Sequence, residues 1–146
     1  MPNYKVPVSD YLFLFNDVVD MQPKFQQVEG GEEATPDMVE AIFTEAAKFC
    51  ENELVPIYQS GDEGCQWVDG VVTTPKGFKE AYAKYIEAGW TGLTGTVEMG
   101  GQGLLSSIGV AINEMMTTAN WAWAMYPGLS EGAMATLETS GTDQQK

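Results

Sequence analysis

The chain of 146 residues is 44% hydrophobic, which is enough apolar material for one compact core and too little for two. Its cations are seven lysines without arginine, against 21 acidic residues, and the net charge of -14 repels nucleic acids and anionic membranes. The absence of histidine excludes Ser-His-Asp and Cys-His catalysis, together with any histidine-containing metal site in this chain.

The cysteines and the N-terminus give no sign of export or membrane anchoring. Cys50 and Cys65 lack the spacing of metal ligands, and residues 1–5 lack the basic and apolar regions of a secretory signal. No run of about 18 apolar residues is present. We therefore expect a cytoplasmic protein with reduced cysteines, no metal site and no membrane insertion.

Two helices are predicted in the first third of the chain. Apolar residues recur at helical spacing over residues 9–20, with Ser9 as the N-cap. Residues 29–35 are acidic, contain glycine and show no apolar period, so we expect a solvated linker. Thr35 and Pro36 are typical of the start of a second helix, which Pro56 kinks or ends.

A hairpin and a third helix follow. Asp69-Gly70 separates two β-prone runs, and this pair favours a type I′ turn because both central residues need positive φ. Thr74-Pro75 begins the next helical pattern, which ends at Gly89. Residues 89–95 are rich in turn-forming residues and are predicted to form a loop.

The last third contains a glycine cluster and two further helices. The cluster over residues 100–103 lacks the lysine and the preceding strand of phosphate-binding motifs, so it favours a tight turn over a ligand loop. A buried helix is predicted over residues 105–119, and a final helix follows a break at Pro127-Gly128 and runs to Gly141. The predicted fold is therefore all-α, a bundle of about five helices with one small β-hairpin.

Residues 121–129 form the candidate site. Tryptophan, methionine and tyrosine side chains precede the predicted break, where they could line a cleft for an apolar or thioether-like ligand or pack in the core or between domains. Glu114 lies among apolar residues, but its default position is at the boundary, facing solvent.

The final residues 141–146 suggest that a further helix follows. Gly141 suits a left-handed helix end, and Thr142 with Gln145 forms the sequence signature of a reciprocal capping pair. We therefore expect a fragment of a longer protein. The alternative is a frayed polar tail after a complete domain.

Several short segments together carry a family likeness. The segments are Asn52-Glu53-Leu54-Val55-Pro56, Gly89-Trp90-Thr91-Gly92-Leu93, Glu98-Met99-Gly100-Gly101-Gln102-Gly103, Asn113-Glu114-Met115, Tyr126-Pro127-Gly128-Leu129 and Gly141-Thr142-Asp143-Gln144-Gln145-Lys146. In order and spacing the chain resembles the N-terminal helical domain of acyl-CoA dehydrogenases. The hairpin segment Val68-Asp69-Gly70 and the N-terminal extension are similar to the subgroup typified by 3-methylmercaptopropionyl-CoA dehydrogenase.

The resemblance implies an FAD-dependent oxidoreductase that converts an acyl-CoA thioester to a 2-enoyl-CoA. In this family a glutamate of the C-terminal domain takes the α-proton while the β-hydride passes to flavin N5. The chain would then comprise an extension, 1–34, and the helical domain, 35–146, with the middle β-domain and the C-terminal helical domain absent. It would be inactive alone, with no catalytic, FAD-binding or metal-binding residue of its own.

The resemblance also implies substrate-binding residues and partners. The end of the buried helix and the turn after it would form a wall of the acyl pocket, with the residues Trp123, Met125, Tyr126, Pro127 and Leu129. The partners would be acyl-CoA, an electron-transfer flavoprotein or similar acceptor, and further copies of the protein in a homo-oligomer. The rival function is a free-standing acidic helical module that binds a partner through its aromatic surface.

Overall fold

The computed structural model describes residues 4–146, and residues 1–3, the start of the predicted extension, lie outside it. As predicted, the described chain is mainly helical with one small antiparallel hairpin. The elements are α1 (Val8–Phe13), α2 (Gln22–Phe25), α3 (Pro36–Phe49), α4 (Tyr58–Glu63), β1 (Gln66–Val68), β2 (Val71–Thr73), α5 (Phe78–Glu87), α6 (Ser106–Ala119) and α7 (Trp121–Ser140).

The helix α3 begins as predicted and packs at the centre of the core. The Thr35 hydroxyl accepts a hydrogen bond from the Met38 N–H at 3.3 Å, and Pro36 occupies the first turn. The chain then stays helical past Pro56, through a π-helical segment (Cys50–Leu54) and a 3-10 turn (Val55–Ile57), before α4. Pro56 lies at the start of the 3-10 turn, where the first N–H groups have no partner within the segment, so its missing N–H costs no hydrogen bond there.

The N-terminal segment is more ordered than its sequence suggested. Pro7, not Ser9, precedes the first helical residue, and the Ser9 side chain caps nothing. The predicted solvated linker is wrong in part, because Gly31 and Ala34 are buried. The Gln22 amide donates to the Ala34 carbonyl at 2.9 Å, which holds this segment against the fold.

The predicted hairpin is confirmed, and it is exposed on both faces. Asp69 has φ of 49° and Gly70 of 81°, as the turn requires. Trp67 pairs with Val72, and Val68 pairs with Val71. Every strand residue is exposed.

The predicted break at Pro127-Gly128 is wrong, because α7 runs continuously from Trp121 to Ser140. The chain turns at Asn120 instead, where the backbone is extended and the side-chain oxygen accepts the Trp123 N–H at 3.1 Å. Gly141 is also extended, with φ of -72°, and is not left-handed. Half of the predicted capping pair forms, since the Thr142 N–H donates to the Gln145 side-chain oxygen at 2.9 Å.

Within residues 4–146, no helix has both the length and the apolar character needed to cross a bilayer.

Candidate functional site

The predicted substrate-binding residues lie on two opposite faces of α7. Trp123 and Pro127, one helical turn apart, face the core and are buried, whereas Met125, Tyr126 and Leu129 face outward. Trp123 is 1% exposed and Leu129 is 74% exposed. The aromatic stretch therefore contributes side chains both to the core and to the exposed surface.

Trp123 is a core residue rather than part of an exposed surface. Its indole N–H donates to the Phe78 carbonyl at 3.3 Å. Its ring contacts Phe49, Tyr82 and Tyr85, with centroids 5.8, 6.2 and 5.4 Å away. Trp123 is therefore not part of an exposed apolar surface, because α5 and α3 cover the ring.

The outward face of α7 carries an apolar stripe. Trp121, Met125 and Leu129 recur every fourth residue and are 64%, 54% and 74% exposed, and we call these three residues the outer stripe. Tyr126 and Leu137 are further exposed apolar residues of the same helix, whereas Met134 lines a cavity on the opposite face. Within the described chain nothing covers the outer stripe.

The opposite face of α7 borders a cavity of about 250 Å³, which we call the α6–α7 cavity. Of the predicted residues, Pro127 lines it. Sequence analysis missed Ala124, Gly128 and Glu131, which lie on the same face as Pro127 in a continuous helix. Because a break at Pro127 was assumed, this helical spacing was not used in the prediction. The apolar residues and glycines from the rest of the chain that line it are Trp90, Leu93, Gly95, Gly109, Val110, Ile112 and Met116.

Polar groups also line this cavity, among them Tyr85 and Glu131. The Tyr85 hydroxyl lies 3.3 Å from both the Trp90 carbonyl oxygen and the Glu131 Oε1. Burial, with the Glu131 charge beside it, raises the pKa of Tyr85 above its ordinary value, so the hydroxyl stays protonated and donates. Glu138 also lines the cavity, and no lysine is among the lining residues described.

A second, larger groove of about 770 Å³ lies between α3, the end of α5 and the loop before α6. Its rim carries the ion pairs Glu45–Lys48 at 2.6 Å and Glu53–Lys84 at 2.7 Å. None of the predicted substrate-binding residues lines it. The α6–α7 cavity is therefore the candidate site.

The glycine cluster forms a tight turn, as predicted. The N–H groups of Gly101, Gln102 and Gly103 donate to the carbonyls of Thr96, Gly92 and Gly95 at 2.9, 2.8 and 2.8 Å. A side chain at Gly101 would lie 2.2 Å from the Gly95 carbonyl oxygen, so the position requires glycine. Because these amides are already bonded, they cannot hold a phosphate group.

Comparison with known proteins identifies the family. The family model described as "Acyl-CoA dehydrogenase, N-terminal domain" matches residues 36–146. The chain belongs to the acyl-CoA dehydrogenase family. The predicted family and the helical domain fold are thereby confirmed.

A curated relative covers the N-terminal extension as well. The chain is 31% identical over 144 residues to a 3-methylmercaptopropionyl-CoA dehydrogenase from Ruegeria pomeroyi. The alignment takes in 98% of this chain and 24% of the relative. The chain thus spans about a quarter of the relative's length.

The glycine loop does not fit the pyrophosphate of the family's flavin. The pyrophosphate needs free N–H donors or cations, but the glycine-loop amides bond to backbone carbonyls and the sequence has no arginine. We derive no role in flavin chemistry for these residues.

Proposed function

We propose that this chain is the N-terminal helical domain of an FAD-dependent acyl-CoA dehydrogenase and that its α6–α7 cavity receives part of the acyl chain. The whole protein would convert an acyl-CoA thioester to the 2-enoyl-CoA. We assign no catalytic residue to this chain, so the base and the flavin site would lie in other domains. The relative's greater length supports this proposal.

The single observation that carries the proposal is the α6–α7 cavity. Its wall is built largely from apolar and small residues, and its volume of about 250 Å³ exceeds the roughly 150 Å³ that accepts benzene in an engineered apolar cavity. A short stretch of alkyl chain therefore fits. In this proposal Pro127 contacts the acyl chain, while Trp123 supports the wall from behind.

The outer stripe supports the presence of further domains. Large apolar side chains clustered on one helix face mark a surface that another body covers. We propose that Met125, Tyr126 and Leu129 contact substrate or the following domains in the space outside this chain. Acyl-CoA, an electron-transfer flavoprotein or similar acceptor, and further subunits would be the partners of the whole protein.

The outer stripe also favours the rival, a free-standing acidic helical module that binds a protein partner. The two functions make opposite predictions about the protein that the gene encodes. An enzyme requires the polypeptide to continue beyond Lys146 into the missing domains. A module acts without any dehydrogenation.

Flavin content and product formation decide between them. The chain of 146 residues alone and the full gene product are purified side by side and tested with a ladder of straight-chain acyl-CoA thioesters. We expect the short chain to be colourless and inactive, and the full product to carry flavin and release a thioester lighter by two hydrogens. Flavin bound to the short chain, or a full product that dehydrogenates no thioester, would contradict the proposal.

A further inference from the structure

The α6–α7 cavity has an acidic side whose charges α7 supplies. Glu131 and Glu138 are two helical turns apart and therefore lie on one face, and both line the cavity. The described lining contains no lysine, so no cation offsets these carboxylates there. The two carboxylates thus place negative charge at the cavity of a chain whose net charge is already -14.

Tyr85 fixes the nearer of these carboxylates. The tyrosine is 3% exposed, and its hydroxyl proton can go either to the Trp90 carbonyl or to the Glu131 carboxylate, both at 3.3 Å. A carboxylate has about four acceptor positions, so one hydrogen bond from Tyr85 leaves most of its capacity open. Glu131 is thus both held in place and able to accept a further donor.

This arrangement discriminates between the ends of acyl chains. A tail that carries a hydroxyl or amino group can donate to Glu131, and hydrogen bonds to charged groups are among the stronger ones. A tail that ends in a carboxylate brings like charge against Glu131, which is exposed at the cavity, and against the half-buried Glu138, and this repulsion weakens binding. An unmodified alkyl tail neither donates a hydrogen bond to Glu131 nor brings a charge to the cavity.

We propose, on the basis of the proposed function, that Glu131 is a specificity residue: it selects acyl groups with a hydrogen-bond donor on the tail and rejects those ending in a carboxylate. Tyr85 is a positioning residue that acts through Glu131. The substrate class is an acyl-CoA whose tail is neutral or cationic and polar.

The test uses the full gene product with its flavin. Unmodified straight-chain thioesters first establish turnover and the best chain length, and the ω-hydroxy and ω-carboxy thioesters of that length are then compared. We expect kcat/KM for the ω-hydroxy thioester to exceed that for the ω-carboxy thioester by about 10-fold or more. The difference should appear mainly in KM, because the tail lies away from the reacting atoms.

Variants distinguish the effect of the Glu131 charge on tail selectivity from the effect of the net charge of the protein. Glu131→Gln should reduce the ω-hydroxy to ω-carboxy ratio by about 10-fold to 100-fold. Glu131→Asp should keep the rejection of the ω-carboxy thioester. Tyr85→Phe should reduce the ratio less than Glu131→Gln does, since the ring stays in the core. Glu87→Gln removes the same charge at an exposed position of α5 outside the cavity and should leave the ratio unchanged.

The outcomes are distinguishable. If no unmodified thioester is dehydrogenated, the proposed function is wrong and this inference falls with it. If unmodified thioesters are dehydrogenated but wild type and Glu131→Gln give the same ratio, the proposed function stands and the role of Glu131 is overturned. An equal effect of Glu87→Gln would also overturn it.

Discussion

Asn120 joins the corner between α6 and α7 to the irregular end of α3. The side chain is 1% exposed. Its oxygen accepts the Trp123 N–H at 3.1 Å, and its amide donates to the Leu54 carbonyl at 3.2 Å, where the π-helical segment ends. One residue therefore caps α7, orients Trp123 and satisfies a buried acceptor.

Replacing Asn120 should be among the more damaging single changes at this corner. Asn120→Ala removes an N-cap worth about 1 kcal/mol and leaves the buried Leu54 carbonyl without this donor, at a further cost of about 1–3 kcal/mol. We expect the free energy of unfolding to fall by about 2–4 kcal/mol in urea titrations. For Asn120→Asp, which keeps the cap and loses the donor, we expect a free energy of unfolding between those of the wild type and Asn120→Ala. Asn16→Ala, at an exposed position, is the control, and an equal loss there would refute this account of Asn120.

At the scale of elements, α7 contains a proline in its interior. Pro127 cannot donate to the Trp123 carbonyl, which costs helix stability, but its ring is buried and lines the α6–α7 cavity. The helix persists because Asn120 caps its start and Trp123 anchors its inner face. The missing hydrogen bond and the burial of the ring therefore have opposite effects on stability.

The expected consequence is a stabilised variant. Pro127→Ala gains about 3 kcal/mol in helix propensity and loses about 1.6 kcal/mol of buried methylene groups, for a net rise of about 1 kcal/mol in the free energy of unfolding. Thermal denaturation of the wild type and the variant measures this change in stability. Pro36→Ala, in the first turn of α3 where proline is favourable, should give no such rise. A lower melting temperature for Pro127→Ala would show that the ring's packing outweighs the lost hydrogen bond.

The elements that sequence predicted well are those specified by local chemistry. Thr35 with Pro36 and Asp69 with Gly70 determine their own turns, so the cap and the hairpin were found. The break at Pro127 was wrong because Asn120 and the packing of Trp123 override the proline's local preference. Local signals alone could not reveal this, since the Asn120 amide bonds to Leu54, far away in sequence.

At the scale of the whole molecule, the predicted substrate-binding residues lie on two faces of α7, and of these residues Pro127 lines the α6–α7 cavity. With a break assumed at Pro127, the helical spacing could not be used to place Trp123 and Pro127 on one face and Met125 and Leu129 on the other. Hydrophobicity alone does not separate the outer stripe from the core residues of α7, because apolar residues of this helix occupy both the core and the surface. A continuous helix places Ala124, Gly128 and Glu131 beside Pro127 at the cavity.

The central claim is that the α6–α7 cavity holds the acyl chain, and Gly128 tests it most directly. Gly128 lines the cavity, whereas Gly132, one turn further along α7, does not, and a side chain at either would meet no atom within 4 Å. Gly128→Leu and Gly132→Leu therefore make the same change in helix propensity, but only the first fills the cavity.

The measurement is the chain-length profile of kcat/KM for the full gene product across straight-chain acyl-CoA thioesters. We predict that Gly128→Leu shifts the optimum to shorter chains and lowers kcat/KM for the longest by about 10-fold or more, while Gly132→Leu keeps the wild-type profile. If Gly128→Leu instead keeps the wild-type profile as well, the acyl chain does not enter this cavity.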